Sequence, residues 1–422
     1  MQRYRIGVTY LLLIAASLFF VPAAAASEQP DIFRNAKWRS AKIAIAVSTS
    51  LSQENSNIRG DAGAAIRNSV VAWTGAADIA IALSASELQS VSPKGMRGDG
   101  ISLITSASTA ENLRLFPNQA DSPAATTRVF LNHRGDISEA DIVLNPFVQF
   151  STDGTFGTYD LQDTLTHEIG HLLGLEHSTL WGSIMYELGS RNSELISGSR
   201  PDLPKADAAA IKSIYGPRLG DLECCGSVYG RVSGVKGNRN HNTLVWLEEM
   251  DTGRVAAAVV ANGDGSFRIG GVSEGRYRIF VSSEAGEILA ATDSSEVSVA
   301  TADDVRIDLT AKYKESSFRT RFLGNSPQLA QLPIRINLDR PSRIYLGGSG
   351  LDPGNASMRF STERIVAGAE LPRLPDFGDS VKVIGFDLSF TGNLPRGEYT
   401  LITEDLNGVQ RFLVGAIVSV GN

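Results

Sequence analysis

The chain has 422 residues, 42% of them hydrophobic, with 39 Lys and Arg against 46 Asp and Glu and a formal net charge of −7. No block of like charge stands out, which argues against nucleic acid or an anionic lipid surface as partner, because both are gripped by clustered cations. The two cysteines are adjacent, at Cys224 and Cys225, so no wider disulfide framework exists and the chain relies on buried apolar cores.

Arg3 and Arg5 precede an apolar run from Ile6 to Val21, and Ala24 and Ala26 place small residues ahead of Ser27. That is the pattern of a secretory signal peptide over residues 1–26. An uncleaved anchor is the weaker reading, since the run is short for a bilayer core of about 30 Å. Cleavage after Ala26 leaves 396 of the 422 residues, with 37 basic against 46 acidic groups. No later segment is apolar for long enough to cross a membrane. The mature protein is therefore expected outside the cytoplasm, either periplasmic or secreted.

Residues 37–219 mix strand and helix signals. "AKIAIAV" alternates, with Ile43, Ile45 and Val47 on one face of a strand. "GDAGAAIRNSVVAW" spaces Ile66, Val70 and Trp73 for a helix that Asp61 can cap. Short strand-like runs follow at 78–83, 101–104, 128–131 and 141–144. Asp160 then stands ready to cap a helix running into "THEIGHLLGLEHS", and "KADAAAIKSIYG" reads as a last helix ended by Gly216 and Pro217. This order describes one α+β domain.

The segment "THEIGHLLGLEHS" holds three of the five histidines. His167 and His171, four apart, share one helix face and can bind one metal ion side by side. Glu168 sits one position round, where it can reach a metal-bound water without being a ligand. Gly174 permits a sharp turn that would bring His177 back as a third ligand. Three protein ligands leave the fourth position of a tetrahedral zinc open for water, the arrangement of a catalytic site. Such a water would attack a peptide carbonyl with Glu168 as general base.

After residue 219 the helical period disappears. Strand and turn signals recur over 226–312, with Asp264-Gly265 and Glu274-Gly275 as turns, and again over 316–422, with the charged "TAKYKESS" as the expected hinge. For Cys224 and Cys225 three readings stand open: a vicinal disulfide, a bond to another chain, or two thiols in a linker. A zinc role fails because adjacent cysteines lack the spacing of metal-binding pairs. The tripeptide Arg-Gly-Asp at 59–61, 97–99 and 134–136 reads as turn chemistry rather than as an adhesion signal.

The extended pattern His167-Glu168-x-x-His171-x-x-Gly174-x-x-His177, with Met185 in "GSIMY" eight residues on, resembles the metzincin zinc peptidases. Ser178 directly after the third histidine, the spacing to Met185 and the helix "ADAAAIKSIYG" make it look like the matrixin branch. The resemblance implies an α+β catalytic domain over 37–219, with a twisted mixed sheet, an active-site helix and a C-terminal helix. It implies one catalytic zinc on His167, His171 and His177, Glu168 as base, Met185 as the methionine turn, and a protein or peptide substrate. Tyr186 follows Met185 directly, so it lacks the place of a tyrosine ligand. Glu187 stands where many matrixins carry proline. Only His133 remains upstream of the motif, so a second, structural zinc is not expected. No cysteine lies between Ser27 and Cys224, so a propeptide cysteine that plugs the zinc is not expected either. Calcium is a family expectation, with Asp141, Asp153 and Asp160 as oxygen donors, although no calcium-loop spacing supports it.

Residues 226–312 resemble the carboxypeptidase regulatory-like, transthyretin-like β-sandwich, through "GSVYGRVSG" and "GDGSFRIGGVSEGRYRIFV". Residues 316–422 look like an immunoglobulin-type module, with "IYLGGSGLDPGNASMRFS" similar to the start of IPT/TIG domains. The fold class is thus multidomain: an α+β metzincin-like domain followed by two all-β sandwich domains. The sequence reads as a secreted zinc endopeptidase. The alternative is an exported adhesion or binding protein acting through its β-domains, with a structural or inactive peptidase-like domain.

Overall fold

Alternation in the first strand sets the first sheet. In Lys42–Ser48, Ile43 and Ile45 are buried while Lys42 and Ala44 are exposed, so one face must meet a core. The five strands run in the order Ala80–Ser86, Lys42–Ser48, Ser102–Thr105, Ile137–Leu144, Ala125–Leu131. The first four are parallel and Ala125–Leu131 is an antiparallel edge. Helices Ala62–Thr74 and Leu161–Leu172 share one core with this sheet, with Trp73 fully buried in it. Asp61 and Asp160 cap the two helices as the sequence predicts. The computed structural model describes residues 36–420 except 41, 53–56, 96, 188–190, 193–201, 222–223, 235–242, 284–287, 292–294, 315, 326–328, 337–341 and 372–380. The expected signal segment 1–26 and His241 lie outside the described residues. Among the described residues no helix is long and apolar enough to cross a membrane.

Beyond the last helix, Lys205–Tyr215, the chain is built from strands. One sheet orders Val255–Val260, Thr243–Glu249, Gly275–Ser283 and Ser295–Val299; the sheet facing it runs Ser266–Ser273, Cys224–Ser233, Leu309–Lys314, Ile288–Ala291. Val245, Leu247 and Ile279 from the first, and Val228, Phe267 and Leu309 from the second, fill one core. A second sandwich pairs Arg319–Gly324, Ser342–Ser349, Lys382–Phe390 and Ile365–Glu370 with Ile334–Ile336, Gln410–Ser419, Gly397–Asp405 and Ala356–Phe360, around Ile344, Phe386, Leu401 and Ile417. Each sandwich carries a Gly-x-Tyr whose hydroxyl donates to the carbonyl four residues back, Tyr277 to Ser273 and Tyr399 to Pro395. This corner pins a strand start to the loop before it.

Of the three readings open for Cys224 and Cys225, the vicinal disulfide is the one that forms, and the pair opens the strand Cys224–Ser233. The hinge placed at "TAKYKESS" is mostly strand, because Leu309 and Ala311 alternate inward and are buried. The turns at Asp264-Gly265 and Glu274-Gly275 do occur, but each carries the chain from one sheet of the sandwich to the other. Sequence inspection saw turns there and could not see which strands they join.

A further core cluster crosses between these parts: Leu180, Ala206, Leu244, Trp246, Val255 and Val414 pack together. Beside it, the Glu248 carboxylate accepts hydrogen bonds from Trp246 Nε1 at 2.9 Å and from Thr400 Oγ1 of the second sandwich. Burial pushes Glu248 up to about 7, against those bonds and the charges of Arg278 and Arg359. The folded chain thus holds this proton to a higher pH than the unfolded chain, which releases it near 4.5. The stabilising contribution is complete below that value and is lost as pH rises through about 7. Glu248→Gln keeps the shape and cannot ionise. Its stability relative to wild type should rise by roughly 3 kcal/mol between pH 4.5 and 7, measured by urea unfolding across that range; a constant difference would refute the assignment.

Candidate metal centre

Leu161, Leu165, Ile169 and Leu172 turn one face of the helix Leu161–Leu172 into the core, leaving His167 and His171 together on the opposite side. The helix end is tied by two long-range donors, Trp38 Nε1 to Leu172 O and Tyr215 OH to Leu173 O, both at 2.8 Å. Gly174 then adopts φ +94°, and a Cβ there would stand 2.2 Å from the Ala36 carbonyl oxygen. Only glycine takes both the left-handed backbone and the close approach. The reversal returns His177 to the helix face. The ligand atoms of His167, His171 and His177 all lie within 4.8 Å of one another.

Hydrogen bonds orient the rings. His167 Nδ1 lies 2.7 Å from the Ile184 carbonyl oxygen and His171 Nδ1 lies 2.8 Å from that of Leu175. A carbonyl only accepts, so both Nδ1 atoms carry the proton and both Nε2 lone pairs face the centre. His171 Nε2 and His177 Nε2 are 3.2 Å apart, close to the edge of about 3.4 Å that tetrahedral zinc with bonds near 2.0–2.1 Å requires. Desolvation lowers His167 to about 4 and His171 to about 3, reinforced by repulsion between the rings. His177 is lowered by the same cause against the nearby Glu187. Neutral imidazoles converging through lone pairs suit a divalent cation, and the donor set fits zinc.

Glu168 is buried beside the histidines, and burial raises its carboxyl above the usual range. Thr127, on the edge strand Ala125–Leu131, donates to Glu168 Oε2 at 2.5 Å and contacts its backbone carbonyl oxygen at 3.1 Å. Met185 is buried beneath the helix: a Cβ on Gly170 would meet its Sδ at 2.2 Å and the Trp73 ring at 3.0 Å. The turn carrying Met185 is held by Asp207, which accepts from Ser183 Oγ at 2.5 Å and Ile184 N–H at 2.8 Å. Ser178 N–H, next to His177, donates to the Met185 carbonyl at 2.8 Å. Sequence inspection missed Thr127 and Asp207. Neither carries a local signal, since Thr127 meets Glu168 across 41 positions and Asp207 meets Ile184 across 23.

The remaining expected donors stand apart. His133 is exposed in a turn. Asp141 is buried and accepts the N–H groups of Ser92 and Leu103, Asp153 pairs with Arg59, and Asp160 is spent on its helix cap. Among the described residues, His167, His171 and His177 are the only group of three or more metal-ligating side chains brought together. In the Arg-Gly-Asp tripeptides, Asp61 caps a helix, Asp99 bonds Ile101 N–H, and Asp136 pairs with Arg39.

A helix bearing two histidines, a glycine reversal to a third and a methionine packed below together make a metal-competent site. Residues 115–216 match the family model of the matrixins, peptidase family M10, over about a quarter of the chain. Matrilysin of Mus musculus is 39% identical over 71 residues, 17% of this chain and 25% of that protein. Metalloendoproteinase 1-MMP of Arabidopsis thaliana is 42% identical over 59 residues, 14% of this chain and 15% of that protein. The chain thus spans a quarter or less of the length of these curated relatives. Among solved structures, the major pilin subunit of Bacillus cereus matches 46% of this chain and 69% of its own at 12% identity, with a TM-score of 0.18.

Gly174→Ala should lower unfolding stability by about 1–3 kcal/mol, through the left-handed backbone and the contact with Ala36. The check is chemical denaturation; a loss below 0.5 kcal/mol would show that the reversal tolerates a side chain.

Proposed function

We propose that the protein is a secreted zinc endopeptidase, and the convergence of three neutral imidazoles beside the buried carboxyl of Glu168 carries the reading. Residues 37–219 would form the catalytic domain, 226–312 and 316–422 two β-sandwich domains, and residues 1–26 the export signal. His167, His171 and His177 would hold the metal. When bound, zinc supplies an acidified water and a positive charge against the scissile carbonyl. Glu168, one helix position from His167, takes the proton of the attacking water and returns it to the departing amine. Thr127 holds the carboxylate in one rotamer for that task. Proteins or peptides are the substrates. The edge strand Ala125–Leu131 borders the site through Thr127 and offers backbone groups to an extended chain.

The test is made on the whole chain, because Leu180 shares a core with both sandwiches. Glu168→Ala should retain about one zinc per chain and the wild-type fold while losing at least about 1,000-fold in cleavage of a casein or peptide substrate. Retained cleavage would sink the mechanism, and a wild type that binds zinc without cleaving would sink the function. Thr127→Val should lower kcat about tenfold with KM little changed, as expected for loss of one hydrogen bond to a charged group. Thr127→Ser should restore kcat; equal losses in both variants would mean that the hydroxyl is not what matters.

A further inference from the structure

The turn that carries Met185 has two sides. Its inner side serves the histidines, through the Ile184 carbonyl on His167 and the Met185 carbonyl on Ser178. Its outer side lies on the second sandwich. Trp181 N–H donates to the Val414 carbonyl at 3.0 Å, and the Trp181 side chain packs against that sandwich's core while stacking on Tyr186 at 6.1 Å. A Cβ on Gly182 would meet Glu398 Cγ at 2.5 Å and the Gly415 carbonyl oxygen at 2.6 Å; one on Gly415 would meet Gly182 N at 3.0 Å. Two glycines therefore face each other across the seam, and backbone rests on backbone.

The sandwich is locally shaped for this contact. The pairing of Gly397–Asp405 with Gln410–Ser419 shifts register between Tyr399 and Leu401. Opposite that shift Gly415 takes φ +71°, a conformation open to glycine. A bulge bends its strand and re-aims nearby groups, and here the Val414 carbonyl accepts from Trp181 N–H of the turn. The path from sandwich to metal ligand is short: Val414 to Trp181, then Ser183 and Ile184, then His167.

We infer that the second sandwich is a positioning element of the three-histidine site, its Val414–Gly415 bulge holding the Trp181–Gly182 corner and so setting the Ile184 carbonyl that orients His167 and the Met185 side chain beneath Gly170. The inference rests on the reading of the histidines as metal ligands, and it assigns the sandwich a part in the centre that a spacer or a substrate-binding module would not have. Nothing in this coupling requires the sandwich to touch substrate. It acts through the turn, by fixing one ligand ring and the floor under the helix.

The experiment uses full-length protein and compares wild type, Gly182→Ala, Trp181→Ala and Ile344→Val. Ile344 is fully buried in the second sandwich, on a strand of the sheet that does not contain Val414 and Gly415, and its truncation weakens that module. Metal affinity is read by cobalt(II) absorption in competition with a chelator, alongside kcat, KM and Tm. Gly182→Ala should weaken cobalt binding and lower kcat, each about tenfold, with KM within about threefold, because a ligand displaced by a fraction of an ångström no longer fits the metal. Ile344→Val should lower Tm and leave affinity and kcat at wild-type values. In Gly182→Ala, adding Glu398→Ala should recover part of the affinity, because Glu398 Cγ is the nearest atom to the new methyl group. Should Gly182→Ala not fold, Trp181→Ala carries the test with the same expectation for affinity. A folded seam variant with affinity within twofold of wild type overturns the inference, as does Ile344→Val losing affinity in proportion to its loss of Tm. A wild type that binds cobalt but cleaves nothing refutes the peptidase function alone, and the affinity comparison still decides the role of the sandwich.

Discussion

The missing side chain at Gly170 is the constraint around which the site is arranged. Between Ile169 and His171, the space where a Cβ would stand belongs to Met185 Sδ on one side and the Trp73 ring on the other. The motif helix is thereby pressed between the first helix, which supplies Trp73, and the turn, which supplies Met185. Trp73 Nε1 also donates to the Thr166 carbonyl at 2.8 Å, so the contact is directional as well as close. A helix held by packing alone could slide or rotate by a few degrees. One whose Gly170 meets a sulfur and an indole, with that indole also donating to Thr166, has one seat, and the positions of His167 and His171 follow from it.

Hydrogen bonds from distant segments complete what packing begins. Each of the two helix histidines is fixed by a backbone carbonyl, and those carbonyls belong to chain segments that are themselves held: Leu175 after the Gly174 reversal, and Ile184 in the turn gripped by Asp207. Asp207 is buried on the last helix, and its carboxylate accepts both a hydroxyl and a backbone N–H. A buried carboxylate is stable when so satisfied, and in return it ties the last helix to the three-histidine site. In the same way a hydroxyl from the edge strand, that of Thr127, meets the buried Glu168 carboxylate beside the three imidazoles.

The sandwiches enter this arrangement through shared core and shared backbone contact. Leu180, at the start of the turn, packs with Trp246 of the first sandwich and Val414 of the second. An ion pair joins Lys205 to Glu249, and another joins Arg335 to Asp163 on the motif helix at 2.9 Å. The hydrophobic seam dominates these contacts in stability, since partly exposed ion pairs contribute typically about 0–1 kcal/mol each against roughly 1.5–3 kcal/mol for a fully buried apolar side chain. The charges of "TAKYKESS" suggest a hinge, but the period of two that buries Leu309 and Ala311 is the stronger signal.

The sequence by itself determined the local devices: Asp61 and Asp160 as helix caps, the buried face of the helix Ala62–Thr74, and the grouping of the three histidines with their glutamate and glycine. Each depends on residues within about one to three helical turns or a single strand, where spacing and side-chain chemistry dictate geometry. Tertiary structure alone decided the partners that meet across long separations. Thr127 reaches Glu168, Asp207 grips the turn that carries Met185, and the Val414–Gly415 bulge supports Trp181 and Gly182. Those contacts depend on which strands pair and how the layers pack, and neither is encoded in any one stretch of the chain. The grouping of the three histidines was therefore legible from their spacing, while the structure that orients them became visible only in the fold.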